Sequence, residues 1–270
     1  MSDSVSGLTQ EQIDHYWANG YLSGIPILTQ EQTAIARRKL IELERMEIER
    51  DPEQWADKNY TPWDDRKNPW WHWFLPMATH PRILAAVQSL LGPNVLIRNA
   101  DIFVKPAKNE RSISWHVDCT ASEKEAGKLL TVWFAISDSA PRNGCMEFLK
   151  GSHRMTLPKN IMDKTSLTFT GTALERCDLA ERQSNILRPG EISLHHFRTV
   201  HRSSGNETNV PRIGFVVRFM AADATREAAE SGKAYLASGT DTTRNFTIEK
   251  TFPVTWQRSQ AGDMQPDQQG

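Results

Sequence analysis

The chain reads as an α+β protein, with helices first and a sandwich or double-sheet jelly roll of strands after them. Three features of its 270 residues point that way. Capped segments with helical periodicity are confined to the first 92 residues. From Val95 onward, short runs rich in β-branched and aromatic residues follow one another, punctuated by Gly, Pro, Asn or Ser. No glycine-rich phosphate loop follows a strand, which sets aside a nucleotide-binding fold. Helices grouped ahead of strands are expected to cover one outer sheet face.

The elements follow in order. Thr9 with Gln12 spells a capping box, Ile13, Tyr16 and Trp17 supply an apolar face, and Gly20 can stop the helix. The same signature at Thr29 and Gln32 opens a long charged helix through IARRKLIELERMEIER. A third helix is expected in HPRILAAVQSLLGP, with Pro81 in its first turn and Gly92-Pro93 closing it. Between the second and third lies YTPWDDRKNPWWHWFLP, dense in aromatics and broken by prolines. The expected strands are VLIRNADIFVK, SISWHV, KLLTVWFAIS, CMEFL, EISLHHF and RIGFVVRF. The chain is therefore expected to be one domain spanning residues 1–258. Within it, residues 1–92 are helical, residues 93–222 form a strand-rich core and residues 223–258 are an extension. The polar tail 259–270 is expected to be disordered.

Composition excludes several functions. A formal net charge of −1 leaves no basic footprint for nucleic acid or anionic lipid. The first ten residues lack the apolar core of a signal peptide, and no stretch approaches the roughly 20 apolar residues of a membrane span. Three cysteines (Cys119, Cys145, Cys177) without CxxC spacing argue against a disulfide framework and against structural zinc. The expectation is a cytoplasmic protein acting on a small molecule, with its oligomeric state open.

SWHVDCT carries the first chemical signal. His116 and Asp118 stand one residue apart, so on a strand their side chains point the same way. A chance pair is easy: composition alone gives about 0.4. Two histidines plus a carboxylate would make the ligand set of a non-haem Fe(II) oxygenase, holding the ion on one face and leaving the other open. His153, His195, His196 and His201 are the candidates for the missing ligand. His153, in LKGSHR, looks like a turn residue, and of His195 and His196 one is expected to pack and the other to face solvent. His201 has the best context, in a loop that leads into the strand beginning near Arg212, although an exposed loop histidine fits that spacing equally well.

The order of these motifs resembles the phytanoyl-CoA dioxygenase family of Fe(II)/2-oxoglutarate oxygenases. The resemblance rests on His-x-Asp, on HRSSGN with Arg212 eleven residues after His201, and on FVKP, TVWFAISDSAPRNGCMEFLKGSHR and LRPGEISLHH. It runs from LTQEQIDHYWANGYL to about residue 220. It implies a double-stranded β-helix (jelly-roll) core with the N-terminal helices packed on one sheet. It implies His116, Asp118 and His201 as iron ligands and Arg212 as partner of the distal carboxylate of 2-oxoglutarate, with Ser203 contacting that carboxylate. Thr131, Trp133 and Asn99 match positions lining the cosubstrate pocket. O2 is the other cosubstrate, and the family reaction couples decarboxylation of 2-oxoglutarate to succinate with hydroxylation of the substrate. Related halogenases carry a small residue where Asp118 stands, so halogenation is not expected. The GCM and ISLHH variants look most like the bacterial branch containing aminoalkylphosphonate hydroxylases.

Strand alternation extends the inventory. If Arg212 points inward, Gly214, Val216 and Arg218 share its face, while Ile213, Phe215, Val217 and Phe219 pack under helices. Asn99, Asp101, Phe103 and Lys105 likewise share one face. Asp101 is expected to pair with Lys105 or Arg218, because a buried charge needs a partner. The functional alternative is that Asp101, Arg218 and Lys105 receive a small zwitterion, such as an aminoalkylphosphonate, a quaternary amine or an amino acid. An acyl-CoA or natural-product substrate, a non-catalytic binding jelly roll and a cupin-like isomerase are the competing readings. Tyr60, Trp63, Trp70, Trp71 and Trp73 could cage a methylated ammonium, although a packing core or lid anchor is the commoner use of such a cluster, and His72 among them reads as structural. Cys119-Thr120-Ala121-Ser122 stands where relatives often carry an aromatic.

Overall fold

A computed structural model of the chain describes residues 6–50, 71–118, 127–155, 181–225, 232–241, 243–250 and 254–258. Tyr60, Trp63, Trp70, residues 119–122 and the tail 259–270 lie outside the described residues, together with the expectations placed on them. For Trp71, His72 and Trp73 only the backbone is described.

The helix signals act as their chemistry dictates. Helix α1 (Gln10–Asn19) starts at Thr9, whose Oγ1 accepts from the Gln12 amide while Gln12 Oε1 accepts from the Thr9 amide. Gly20 ends it at φ +83°, a left-handed conformation that also spares a clash, since a Cβ would fall 2.5 Å from His153 Nδ1. Strand β1 (Tyr21–Pro26) follows, a strand that the sequence pattern does not announce. Helix α2 (Gln30–Arg50) opens on the same reciprocal pair, Thr29 and Gln32. Helix α3 (Trp71–Ala78) lies inside the aromatic segment, and α4 (Pro81–Leu91) carries its proline in the first turn and closes at Gly92.

Eleven further strands come next: β2 (Val95–Lys105), β3 (Ile113–His116), β4 (Leu129–Ala135), β5 (Met146–Leu149), β6 (Arg182–Ser184), β7 (Glu191–His196), β8 (His201–Ser203), β9 (Arg212–Ala221), β10 (Lys233–Ser238), β11 (Thr247–Glu249) and β12 (Val254–Arg258). Among the described residues they form two sheets. The larger runs β1-β7-β4-β9-β2-β10-β11, with β12 also on β2; the smaller runs β3-β8-β5-β6. β10 and β12 share one edge of β2, the first against Val95–Ile97 and the second against Ala100–Val104. His201, expected in a loop, instead occupies the three-residue strand β8, paired with β3 on one side and β5 on the other.

The large sheet has one apolar and one polar face. Ile213, Phe215, Val217 and Phe219 of β9 join Leu130, Val132 and Phe134 of β4 beneath Tyr16, Leu40, Phe74, Ile83 and Val87 of the helices. Each such buried side chain stabilises the fold by roughly 1.5–3 kcal/mol. A register shift between Ile97 and Asn99 resets the alternation of β2, so that Val95 and Ile97 before it and Ala100, Ile102 and Val104 after it all reach this core. The other face looks toward the smaller sheet, and the site lies between the two. None of the described helices is long and apolar enough to cross a membrane.

Candidate metal centre and its anion-binding end

The pairing of β3 with β8 sets His116 directly opposite His201, and Asp118 follows just beyond the end of β3. Ligand atoms of His116, Asp118 and His201 lie within 4.8 Å of one another. Both rings are held by backbone carbonyls: His116 Nδ1–H donates to Ser114 O at 2.8 Å, and His201 Nδ1–H to Thr199 O at 2.9 Å. A carbonyl only accepts, so each ring is protonated at Nδ1 and presents a bare Nε2 lone pair, the form a metal requires. Burial lowers the pKa of both rings, His201 well below the usual histidine range, which keeps them neutral. Burial alone would raise the Asp118 carboxyl. The nearby Arg218 guanidinium, with His195 and His201, overrides it and holds the group well below the usual carboxylate range. Two neutral imidazoles and one anionic carboxylate, open on one side, fit Fe(II).

These residues line a cavity with Phe103, Met146, Val216 and others. Its far end is cationic. Arg212 is buried and donates to Gly144 O, yet its Nε has no partner among the described residues. Its guanidinium carbon lies 5.4 Å from the centre of the Trp133 ring. Burial lowers the Arg212 pKa to about 10, so the group still carries its charge at neutral pH. An unpaired donor on a buried cation is costly unless an anion arrives to meet it. Gly214 belongs to this arrangement through space, since a Cβ there would fall 2.2 Å from Trp133 Cζ2. Ser203 is buried and lines the same cavity.

The remaining expected residues divide. Thr131 lines the cavity, and its hydroxyl donates to Asp118 Oδ2 at 2.6 Å. Arg218 lines the cavity too; it forms an ion pair with Asp101 and approaches Asp118 Oδ1 at 3.7 Å. Asp101 is therefore paired with Arg218, and Lys105 is elsewhere. Lys105 Nζ donates to the carbonyls of Arg111, Ser203 and Ser204, tying β2 to the chain after His201, and Lys105 is not among the cavity-lining residues. Asn99 is also absent from the lining, with its Oδ1 buried and unpartnered among the described residues.

Sequence reasoning gives three residues no place in the site, although it weighs His195 as a ligand before favouring His201. His195 points inward, and its Nε2 lies 2.9 Å from Asp118 Oδ2. Neither histidine of the doublet faces solvent: His196 packs at 5.1 Å from the His153 ring and 6.3 Å from Trp17, because α1 and the turn at 152–154 cover that side. Asn206 is the second omission. Its amide donates to the carbonyls of Lys105, Pro106 and Val210 and its Oδ1 accepts from Thr208, shaping the connection from His201 to Arg212. Arg202 is the third; it lines the cavity, pairs with Glu147 and lies over Trp115.

Comparison with known proteins places the chain in a family. Residues 16–214 match the phytanoyl-CoA dioxygenase (PhyH) family model. A phytanoyl-CoA dioxygenase domain-containing protein 1 from Mus musculus is 32% identical over 155 residues, covering 54% of this chain and 53% of that protein. A probable alpha-ketoglutarate-dependent hypophosphite dioxygenase from Stutzerimonas stutzeri is 26% identical over 147 residues, covering 53% of this chain and 51% of its own. The chain thus spans about half the length of the curated relatives it matches. Among solved structures, the apo form of the non-haem monooxygenase ThoJ superimposes with a TM-score of 0.72 at 23% identity, covering 89% of this chain and 88% of that one. At that identity the likeness speaks for the fold alone.

Proposed function

The chain belongs to the phytanoyl-CoA dioxygenase family, and from that premise we propose that it is an Fe(II)- and 2-oxoglutarate-dependent dioxygenase that hydroxylates a C–H bond of a small polar substrate. The observation that carries this reading is the pairing, in one cavity, of a two-histidine, one-carboxylate cluster with a buried arginine that has an unmet donor.

His116 and His201 would hold the metal through Nε2, and Asp118 through the oxygen that faces His201. Iron with 2-oxoglutarate supplies O2 activation coupled to decarboxylation of the cosubstrate to succinate and CO2. Arg212 takes the distal carboxylate of the cosubstrate by charge-assisted hydrogen bonds, with the Ser203 hydroxyl beside it and the Trp133 ring fixing the plane of the guanidinium. Phe103, Ile113, Met146 and Val216 keep the cavity apolar between these polar ends, which strengthens every charge interaction within it.

Arg218 borders the cavity and supports a polar substrate with an anionic group. Asp101, paired with Arg218, and Lys105 are not among the cavity-lining residues, which counts against the expected zwitterion-binding trio. Aminoalkylphosphonates, quaternary amines and amino acids are the classes in view. A relative whose name gives hypophosphite as its substrate suits a site with a cation beside the metal cluster. The test is succinate formation by the purified protein with Fe(II), 2-oxoglutarate and O2 against a panel of these compounds and of acyl-CoAs. Succinate rising in step with a hydroxylated small polar compound is the expected result. Stimulation by an acyl-CoA alone would overturn the substrate class. A protein that develops no charge-transfer band with Fe(II) and 2-oxoglutarate would favour the non-catalytic metal- or small-molecule-binding jelly roll.

A further inference from the structure

His195 and Thr131 are cross-strand partners, directly opposite each other where β7 pairs with β4. Both side chains face inward, and both reach the same atom: Thr131 Oγ1 at 2.6 Å and His195 Nε2 at 2.9 Å from Asp118 Oδ2. The tautomer of His195 follows from its other nitrogen. His195 Nδ1 is buried without a partner among the described residues, and a bare lone pair there costs less than a stranded N–H. Nε2 is therefore the nitrogen that carries a proton toward Asp118, whose carboxylate oxygen accepts the hydrogen bond.

The two donors leave the Asp118 oxygens unequal. Oδ2 is engaged on both sides, whereas Oδ1 faces His201 Nε2 at 3.8 Å and Arg218 at 3.7 Å. Which oxygens a carboxylate can offer decides how many positions remain around an octahedral ion. One oxygen with two imidazoles leaves three, enough for a chelating 2-oxo acid and O2. Two oxygens would leave only two.

We propose that His195, together with Thr131, is a positioning pair that occupies Asp118 Oδ2 and leaves Oδ1 to the metal, so that the carboxylate is held in the orientation from which the metal and its 2-oxo acid bind. The inference rests on the reading of His116, Asp118 and His201 as an iron site. His195 also packs against Phe148, with ring centres 5.3 Å apart, so a test has to separate shape from donation.

His195→Phe keeps the ring and removes the donor; His195→Gln restores a donor without the ring; Thr131→Val removes the second donor alone. Each full-length protein is titrated anaerobically with Fe(II), and then with 2-oxoglutarate at saturating Fe(II), following the metal-to-ligand charge-transfer absorption. His195→Phe is expected to weaken Fe(II) binding roughly 10- to 100-fold and to weaken 2-oxoglutarate binding at saturating metal. Thr131→Val should move both in the same direction by less, and His195→Gln should recover most of the loss. Thr131→Val carries the test by itself if His195→Phe does not fold. Wild-type binding of both ligands by His195→Phe, or a His195→Gln protein as impaired as His195→Phe, overturns the proposal while leaving the iron site standing. A wild-type protein that binds no Fe(II) overturns the iron site, and the proposal with it.

Discussion

His195 and His196 are consecutive residues of one strand, both buried, and they serve opposite faces of the same sheet. His195 looks into the cavity, where it meets Asp118 and stands 4.8 Å from the His201 ring. His196 looks outward with Ile192 and Leu194, into a cluster with Trp17 and His153 under α1. Burial, reinforced by His153 and Arg198, lowers the His196 pKa to about 3, so that ring is a neutral packing group. The contrast teaches that residue type and burial do not assign a role here; strand parity does. The inner face should govern ligand binding, and the outer face stability.

Breaking the inner face at the metal cluster should have the largest effect. His201→Ala or Asp118→Ala is expected to bring Fe(II) binding and succinate formation below detection, with the thermal transition retained; turnover in either would sink the ligand assignment. Arg212→Met should weaken 2-oxoglutarate binding by roughly 30-fold or more, since a buried charge partner is worth about 2 kcal/mol at least. Fe(II) affinity should be unchanged, and calorimetric titration of each ligand separates the two. Gly214→Ala sharpens the comparison because it strikes the inner face sterically. Its methyl must displace the Trp133 ring, costing about 1–3 kcal/mol in stability as read by denaturant unfolding, with 2-oxoglutarate affinity falling alongside.

The smallest effect belongs to the outer face and depends on pH. His196 binds a proton in the unfolded chain near its ordinary pKa and in the folded chain only near 3. Between those values the unfolded state holds more protons, so stability falls as pH drops below about 6.5 and stops falling near 3. At pH 5 the penalty from this one group is about 2 kcal/mol. His196→Phe should shrink the stability difference between pH 8 and pH 5 by that amount in urea unfolding, leaving Fe(II) and 2-oxoglutarate binding at pH 8 as in wild type. An unchanged pH slope would mean that His196 titrates normally, and altered ligand binding would mean that the faces are not separable.

Much of this is legible in the sequence, and the reasons are local. Alternation along RIGFVVRF and NADIFVK places Arg212, Gly214, Val216, Arg218, Asp101 and Phe103 on one side, because a half-buried strand has no other way to sort such residues. The capping boxes at Thr9 and Thr29 mark helix starts, since each satisfies two backbone groups by neighbours alone. His195 escapes because a histidine doublet in an apolar run looks like packing. The signal is present in ISLHH: Ser193 and His195 are polar at every second position, against Ile192 and Leu194. β8 reads as a loop because three residues carry too little pattern, and only pairing with β3 and β5 makes it a strand. β1, β6 and the strands after residue 222 escape because they lie at sheet edges or owe their form to a distant partner, as β12 does to β2. Lys105 looks like an inward cation, but the carbonyls that hold it come from residues 6, 98 and 99 positions away, beyond local pattern.

The central claim is that one cavity joins an iron site at His116, Asp118 and His201 to a carboxylate site at Arg212. Anaerobic titration of the Fe(II)-loaded protein with 2-oxoglutarate, followed by charge-transfer absorption, tests it most directly. The account predicts a saturable band in the wild type, none in His201→Ala, and a band in Arg212→Met reached only at much higher 2-oxoglutarate. A wild-type protein that takes up Fe(II) and develops no band, or an Arg212→Met protein that saturates as the wild type does, would contradict it.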